Sequence, residues 1–286
     1  MSAQILEGPK VAEALNAQIA ENVEALKAAG TQPCLAILRV GERPDDISYE
    51  RGAIKRAEGV GIEVRTILLA ENTTTEELVA TVEDINNDPA IHGLLMFRPL
   101  PKHIDEERVC NAIDPAKDID ACTEASLAGV FTGSGVGFAP CTAQACIEIL
   151  DHYGIEISGK RVVVIGRSLV IGKPVAMLLL AKNGTVTIAH SRTQNLPEIA
   201  SQADIVVACV GRARMVDAAY VSEGQTIIDV GINFVDGKMA GDVDFDAASE
   251  IVSAITPVPR GVGSVTTSVL CKHLVEAAQA AAQAGK

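Results

Sequence analysis

The stretch Arg161-Val162-Val163-Val164-Ile165-Gly166-Arg167-Ser168-Leu169-Val170-Ile171-Gly172-Lys173-Pro174 constrains the fold of this chain more than any other. Its β-branched run reads as a buried parallel strand, and Gly166 and Gly172 frame the turn that follows. Pro174 then falls in the first turn of a helix through Ala176-Met177-Leu178-Leu179-Leu180, where its missing N–H is no loss. Strand, glycine turn and helix N-terminus together offer backbone N–H groups and the positive end of a helix dipole to an anion. The stretch reads as a dinucleotide pyrophosphate site. The same pattern occurs in any βα unit, so the ligand must be sought in the rest of the chain.

The rest repeats the alternation. Val11, Leu15, Ile19, Val23 and Leu26 recur at helical spacing, with Gly30 as a stop. Residues 34–40 read as a buried strand, followed by a turn at 41–46 in which an aspartate is a suitable N-cap. The next helix carries Tyr49, Ala53, Lys55 and Arg56. A strand at 64–69, a helix opened by Thr73-Thr74-Thr75-Glu76-Glu77 and a strand at 91–97 follow. His92, inside that strand, reads as a satisfied core histidine. Strands and helices at this spacing form parallel βαβ units, whose ligands collect beyond the carboxyl ends of the strands. That places the segments after Val40 and Phe97 on one rim.

Gly129 to Gly137 reads as a glycine-rich connector, and a domain boundary falls close to Pro140. A crossing helix at 142–153 leads to strand runs at 162–165, 185–189, 205–210 and 226–230, a Rossmann-like half. From Thr266 an Ala-rich helix reaches the C-terminus, and Val269, Leu270, Leu274 and Val275 give it an apolar face suited to packing on the first domain. The expected architecture is α/β. A parallel-sheet N-terminal substrate domain (1–139 plus 267–286) stands beside a Rossmann-like cofactor domain (140–266), with the C-terminal helix returning to the first.

At 286 residues there is room for two such domains. A net charge of −13 argues against a nucleic-acid surface, and 3% aromatics without tryptophan argue against a stacking platform for single strands. No apolar run reaches the roughly 18 residues of a membrane span, and the N-terminus lacks the features of a secretion signal, which points to the cytoplasm. Seven scattered cysteines without ligand spacing read as buried apolar residues in a reducing compartment, and no metal is expected.

The Gly166–Gly172 spacing departs from G-x-G-x-x-G. The end of the next strand is more informative. An NAD site places an acid about 20 residues beyond the glycines to hold the ribose 2′-OH. This chain has His190-Ser191-Arg192 instead, a hydroxyl and a guanidinium suited to a phosphate monoester, with Arg167 within reach of the same group. NADP is therefore preferred over NAD. The alternative is that Arg192 is a solvated surface charge.

Gly166-Arg167-Ser168…Gly172-x-Pro174, Asp229-Val230-Gly231-Ile232-Asn233, Gly241-Asp242-Val243 and Thr256-Pro257-Val258-Pro259-x-Gly261-Val262-Gly263 resemble the methylenetetrahydrofolate dehydrogenase/methenyltetrahydrofolate cyclohydrolase family. Val40-Gly41-x-x-Pro44…Tyr49, Pro99-Leu100-Pro101, Lys117-Asp118-Ile119-Asp120 and Pro140-Cys141-Thr142 extend the resemblance over nearly the whole chain. It implies two domains flanking a cleft, a homodimer formed through the cofactor domains, NADP as cofactor and a tetrahydrofolate derivative as substrate. It also implies roles: Tyr49 and Asp120 as catalytic and folate-binding residues, and Pro259, Arg260 and Gly261 in the loop lining the substrate. For the cofactor it implies Gly166, Arg167, Ser168, Ile171, Gly172, Ser191, Arg192, Ile232 and Thr266.

Several positions depart from the family. Ala53 stands where the Tyr-x-x-x-Lys pair has its lysine, and Phe97 replaces the glutamine before the proline run. Lys55 lies about 200° around the helix from position 53 and faces away. Arg260 and Ala121 replace glycines, and Asp46 a common serine. Hydride transfer needs two rings held face to face, whereas ring opening by water needs proton transfers that the family assigns to the lysine–glutamine pair. The expectation is a dehydrogenase with weak or absent cyclohydrolase activity, the second step falling to a separate cyclohydrolase. Two alternatives stand beside it: a fully bifunctional enzyme in which Arg98, Lys55 or Arg260 stands in for the lysine, and a non-catalytic folate- and NADP-binding protein.

Overall fold

In a computed structural model, which describes residues 3–284, the alternation of strands and helices resolves into two units. The elements begin with β1 (Gln4–Ile5), α1 (Gly8–Ala28), β2 (Cys34–Val40), α2 (Pro44–Gly59), β3 (Glu63–Leu69), α3 (Thr75–Asn87) and β4 (Gly93–Met96). Next come α4 (Glu106–Asn111), α5 (Glu124–Thr132), α6 (Cys141–His152), β5 (Arg161–Ile165), α7 (Gly172–Ala181), β6 (Thr185–Ala189), α8 (Leu196–Ser201) and β7 (Ile205–Ala208). The chain closes with β8 (Thr226–Asp229), β9 (Asn233–Val235), β10 (Lys238–Ala240), α9 (Phe245–Ser249), β11 (Ala254–Ile255) and α10 (Thr266–Ala284).

One unit comprises Ala14–Cys141 and the chain from Thr267 onward. Its sheet is three parallel strands in the order β3-β2-β4. The central strand β2, apolar but for Arg39, is buried at every residue, as a strand flanked on both faces should be. Ala36, Leu38 and Val40 pack with Leu78, Val82 and Ile85 of α3. Thr74 and Glu77 close a capping box at the start of α3, as the sequence suggests. At α2 the aspartates do not cap. Pro44 opens the helix with its fixed φ, so the cap position moves back to Arg43 and Asp45 and Asp46 fall in the first turn, where they complement the dipole. The expected connector from Gly129 is in part helical, since α5 runs through Gly129 and ends at Gly133 in a left-handed conformation.

The C-terminal helix packs in this unit, as its apolar face suggests: Val269, Leu270, Leu274 and Val275 are all buried. His273, 4% exposed, places Nδ1 at 2.9 Å from the Ile119 carbonyl, one residue before Asp120. His92 is a core residue whose Nδ1 accepts the Cys34 N–H at 3.3 Å.

The other unit comprises Thr142–Thr266 and the chain up to Glu13. Its six strands are all parallel, in the order β1-β11-β8-β7-β5-β6, the Rossmann-like arrangement expected for the cofactor half. The expected boundary placed the N-terminal residues with the substrate domain. The structure groups those up to Glu13 with the cofactor sheet instead, because β1 pairs with β11 (Gln4 with Ala254, Ile5 with Ile255) and Leu6 is fully buried. β9 and β10 form an antiparallel hairpin outside the main sheet, with Phe234 and Met239 exposed on it. No helix among the described residues is long and apolar enough to cross a membrane.

Candidate functional site

In the cofactor unit, the turn after β5 is shaped by its two glycines. Gly166 adopts φ +137°, and a Cβ there would lie 2.4 Å from the Cys209 carbonyl oxygen. A Cβ at Gly172 would lie 2.4 Å from the carbonyl oxygen of Gly166. Both positions therefore require glycine, which lets α7 begin directly over the strand end. Ser168 Oγ accepts the N–H of Ile171 at 3.1 Å and of Gly172 at 3.4 Å, closing the turn from within.

Beside this turn lies a cavity of about 590 Å³ at the carboxyl ends of β5, β6 and β7. Gly166, Arg167, Ser168 and Ser191 line it together, with His190, Thr193 and Arg212. Leu196, Pro197, Met215 and Tyr220 supply an apolar wall. Among the described residues, no Asp or Glu lines it. A phosphate-bearing dinucleotide with a flat heterocycle fits this mixture of cations, hydroxyls and apolar surface. Of the other expected cofactor residues, Ile171 and Gly172 belong to the turn and Arg192 is exposed, its N–H donating to His190 Nδ1 at 3.2 Å. Ile232 is 58% exposed beside Gly263, and the Thr266 hydroxyl donates to the Gly263 carbonyl at 3.3 Å. Arg212 was not singled out from the sequence. Its position directly after an apolar βα strand is the signal that marks it.

Two buried aspartates set the loops around these strand ends. Asp229 accepts the N–H groups of Gly231 at 3.0 Å, Asp242 at 2.9 Å and Val243 at 3.0 Å. Burial pushes its carboxyl up to about 6, against the pull of those three bonds. A carboxyl raised in the folded state stabilises the fold below its unfolded pKa, near 4, and that contribution is lost as pH rises through 6. Urea unfolding is thus expected to show a loss of about 2–2.5 kcal/mol from this group between pH 4 and pH 7. Asp229→Asn should flatten that slope, and an unchanged slope would contradict the assignment.

In the substrate unit, α2 presents Asp46, Glu50, Ala53 and Ala57 as its buried stripe. Ala53 is 1% exposed, and Lys55 is exposed on the outer side. Tyr49, 43% exposed, meets Phe97 edge to face, with ring centroids 5.8 Å apart and planes at 83°. Neither Ala53 nor Phe97 carries a side-chain group that can transfer a proton. Beneath Tyr49, Arg39 Nε pairs with Glu50 Oε2 at 2.7 Å in a nearly buried ion pair, and Arg43 donates to the Pro99 carbonyl at 2.9 Å. These ties hold α2 and the Phe97–Pro99 segment in register. The sequence reading did not foresee the ion pair, because it needs β2 and α2 placed side by side.

Asp120 accepts the Cys141 N–H at 2.9 Å. Burial pushes its carboxyl above the usual range, opposed by the bonds from Cys141 and by the Arg98 guanidinium. The next residue, Ala121, has φ +53°, the left-handed conformation that a glycine adopts freely. Asp118, fully buried, anchors this turn by accepting from Cys122 N–H at 2.7 Å, Thr123 N–H at 2.9 Å and the Ser126 hydroxyl at 2.6 Å.

The segment Pro257 to Thr266 ends the cofactor unit. Pro259 and Arg260 are exposed and Gly261 is buried. Gly8 N–H donates to the Arg260 carbonyl at 2.9 Å, so the N-terminal strand buttresses this loop. Arg260 itself sits at φ +75° with only a distant ion pair to Glu7, 3.7 Å. Relief of left-handed strain, about 1–2 kcal/mol, exceeds the added freedom of an unfolded glycine, about 0.5–1 kcal/mol. Arg260→Gly is therefore expected to raise stability by about 0.5–1 kcal/mol. A urea midpoint lower than that of the unsubstituted protein would contradict this.

Two family models match this chain. The catalytic domain of tetrahydrofolate dehydrogenase/cyclohydrolase matches residues 6–120, and the NAD(P)-binding domain of the same enzyme matches residues 140–282. The bifunctional protein FolD 1 of Desulfitobacterium hafniense is 51% identical over 275 residues, spanning 96% of this chain and 98% of its own. The bifunctional protein FolD of Clostridioides difficile is 48% identical, spanning 96% of each. Among solved structures, the bifunctional FolD of Campylobacter jejuni superposes with a TM-score of 0.94 at 34% identity, covering 98% of this chain and 99% of its own. The Trypanosoma brucei FolD, solved with NADP cofactor and an inhibitor, gives 0.90 at 35% identity and 98% coverage of both chains.

Proposed function

The chain belongs to the tetrahydrofolate dehydrogenase/cyclohydrolase family, and from that premise we propose that it oxidises methylenetetrahydrofolate with NADP while hydrolysing the methenyl product weakly or not at all. The observation that supports this is the pair of replacements in the substrate unit: Ala53 is buried and Phe97 packs edge to face on Tyr49 where the family resemblance places lysine and glutamine.

The dehydrogenase half asks little of proton transfer. NADP, when bound, would supply the acceptor for the hydride that leaves the methylene carbon with its bonding pair, while the adjacent folate nitrogen lone pair stabilises the resulting methenyl cation. No proton leaves. The chain's contribution is to hold and orient. Asp120 would accept paired hydrogen bonds from the amino-pyrimidine edge, Tyr49 would flank the folate ring, and Arg167, Ser168 and Ser191 would hold the dinucleotide phosphates in the cavity they line. The apolar wall of Leu196, Pro197 and Met215 would take the adenine. Ring opening by water is different. A water must lose a proton as it attacks, and neither Ala53 nor Phe97 has a group to receive it.

The bifunctional reading keeps one supporting observation: Arg98 is recessed among Asp120, Glu106, Cys110 and Cys122, next to the folate-binding carboxyl. A guanidinium stays protonated at neutral pH, so it supplies charge but no proton shuttle. Homodimer formation is part of the proposal, supported by the exposed apolar residues Ile232, Phe234 and Met239 at and beside the β9–β10 hairpin of the cofactor unit.

The test is direct. Methenyltetrahydrofolate is mixed with the protein without NADP, and its chromophore is followed. Decay at the spontaneous rate supports the proposal; enzyme-dependent decay proportional to protein concentration refutes it.

A further inference from the structure

The cavity in the cofactor unit has an edge to which the reading above assigns no role, formed by Val210 and Arg212 of the segment Val210-Gly211-Arg212. Asp242 is 0% exposed, and its oxygens accept three consecutive backbone N–H groups of that segment. Oδ2 takes Val210 at 2.6 Å and Gly211 at 2.9 Å, and Oδ1 takes Arg212 at 2.8 Å. Oδ1 also accepts Asn233 Nδ2 at 3.0 Å. A buried carboxylate with four donors is a fixed point in a low-dielectric site. It ends β7 at Ala208 and sets the Arg212 backbone on the cavity edge without engaging the Arg212 side chain.

Among the described residues the Arg212 guanidinium has no hydrogen-bond or ion-pair partner, and neither has that of Arg167, which lines the same cavity. The cavity contains no carboxylate to neutralise them. In a chain of net charge −13, two unpaired guanidinium groups around one acid-free cavity make a local positive field that calls for an anion. We propose that Arg212 is a second anion-binding arm of the cofactor site, taking a phosphate of the dinucleotide, and that Asp242 is the residue that positions it. The proposal rests on the NADP reading of the cavity. The phosphate is either the ribose 2′-phosphate or the pyrophosphate, and the chemistry of recognition is the same.

The experiment is calorimetric titration of the full chain and its Arg212→Ala variant with three probes: NADPH, 2′-AMP and ADP. Loss of a charge-assisted bond to phosphate predicts NADPH binding weakened about 10- to 100-fold, with partial recovery in Arg212→Lys. A loss confined to 2′-AMP assigns the 2′-phosphate, and one confined to ADP assigns the pyrophosphate. Asp242→Asn should also weaken NADPH, and in the double variant with Arg212→Ala the two losses should not add, as they would if Asp242 were only structural. Equal affinities of Arg212→Ala and the unsubstituted protein for all three probes would overturn the proposal. Failure of the unsubstituted protein to bind any of them would overturn the cofactor reading itself, and the proposal with it.

Discussion

Ala53→Lys combined with Phe97→Gln is expected to raise the rate of methenyl ring opening by about 100-fold or more, the size of a general acid–base contribution. Hydride transfer should change little, because Asp120 and the cofactor cavity are untouched. The two substitutions are expected to act as a unit. Lysine alone would lack the glutamine amide, and glutamine alone would have no ammonium to orient. Each single variant should therefore gain much less than the pair. Position 53 is 1% exposed, so the new lysine stem must thread toward the Tyr49 side, and thermal unfolding of the variant establishes that it remains folded. Stopped-flow decay of the methenyl chromophore measures the gain. A folded double variant that hydrolyses no faster than the starting protein would show that more than these two side chains was lost.

The second large effect belongs to Asp120. Asp120→Ala removes an acceptor of paired hydrogen bonds, each worth about 1.5–3 kcal/mol, so kcat/KM for the folate should fall about 10²- to 10⁴-fold. Asp120→Asn should do nearly as badly, since an amide offers one acceptor and one mismatched donor to the same edge. NADPH affinity should be unaffected in both, because Asp120 lies in the unit with the β3-β2-β4 sheet and the nucleotide cavity lies in the other. Steady-state kinetics with the folate varied, beside NADPH titration, separates the two. Parallel loss of both affinities would point to unfolding rather than to a lost contact.

The strand–turn–helix at Arg161–Pro174 was legible because local chemistry alone determines it: β-branched residues for the strand, glycines where a Cβ would strike backbone oxygen, and a proline in the first helical turn. The same holds for the capping box of α3 and the apolar face of α10. Features made by residues distant in the chain were not legible. β1 and β11 are two residues each, too short to show a period, yet their pairing decides to which unit the N-terminus belongs. Asp242 acts on residues 30 to 32 positions earlier, and Arg212 joins Arg167 only because β7 and β5 are neighbours in the sheet. Ser191 and Arg192 looked equivalent in sequence, but only Ser191 lines the cavity. The replacements at Ala53 and Phe97 had no meaning of their own until the family pattern supplied what they replace. The structure adds that Ala53 is buried and that Phe97 packs on Tyr49.

The central claim is that oxidation is kept and hydrolysis is not. One cuvette measures both: NADPH and the methenyl chromophore are followed at two wavelengths while the protein turns over methylenetetrahydrofolate and NADP. The account predicts that the two signals rise together, with one methenyl accumulating for each NADPH formed. NADPH rising while methenyl stays at a low steady level, drained to formyltetrahydrofolate by the pure protein, would contradict it.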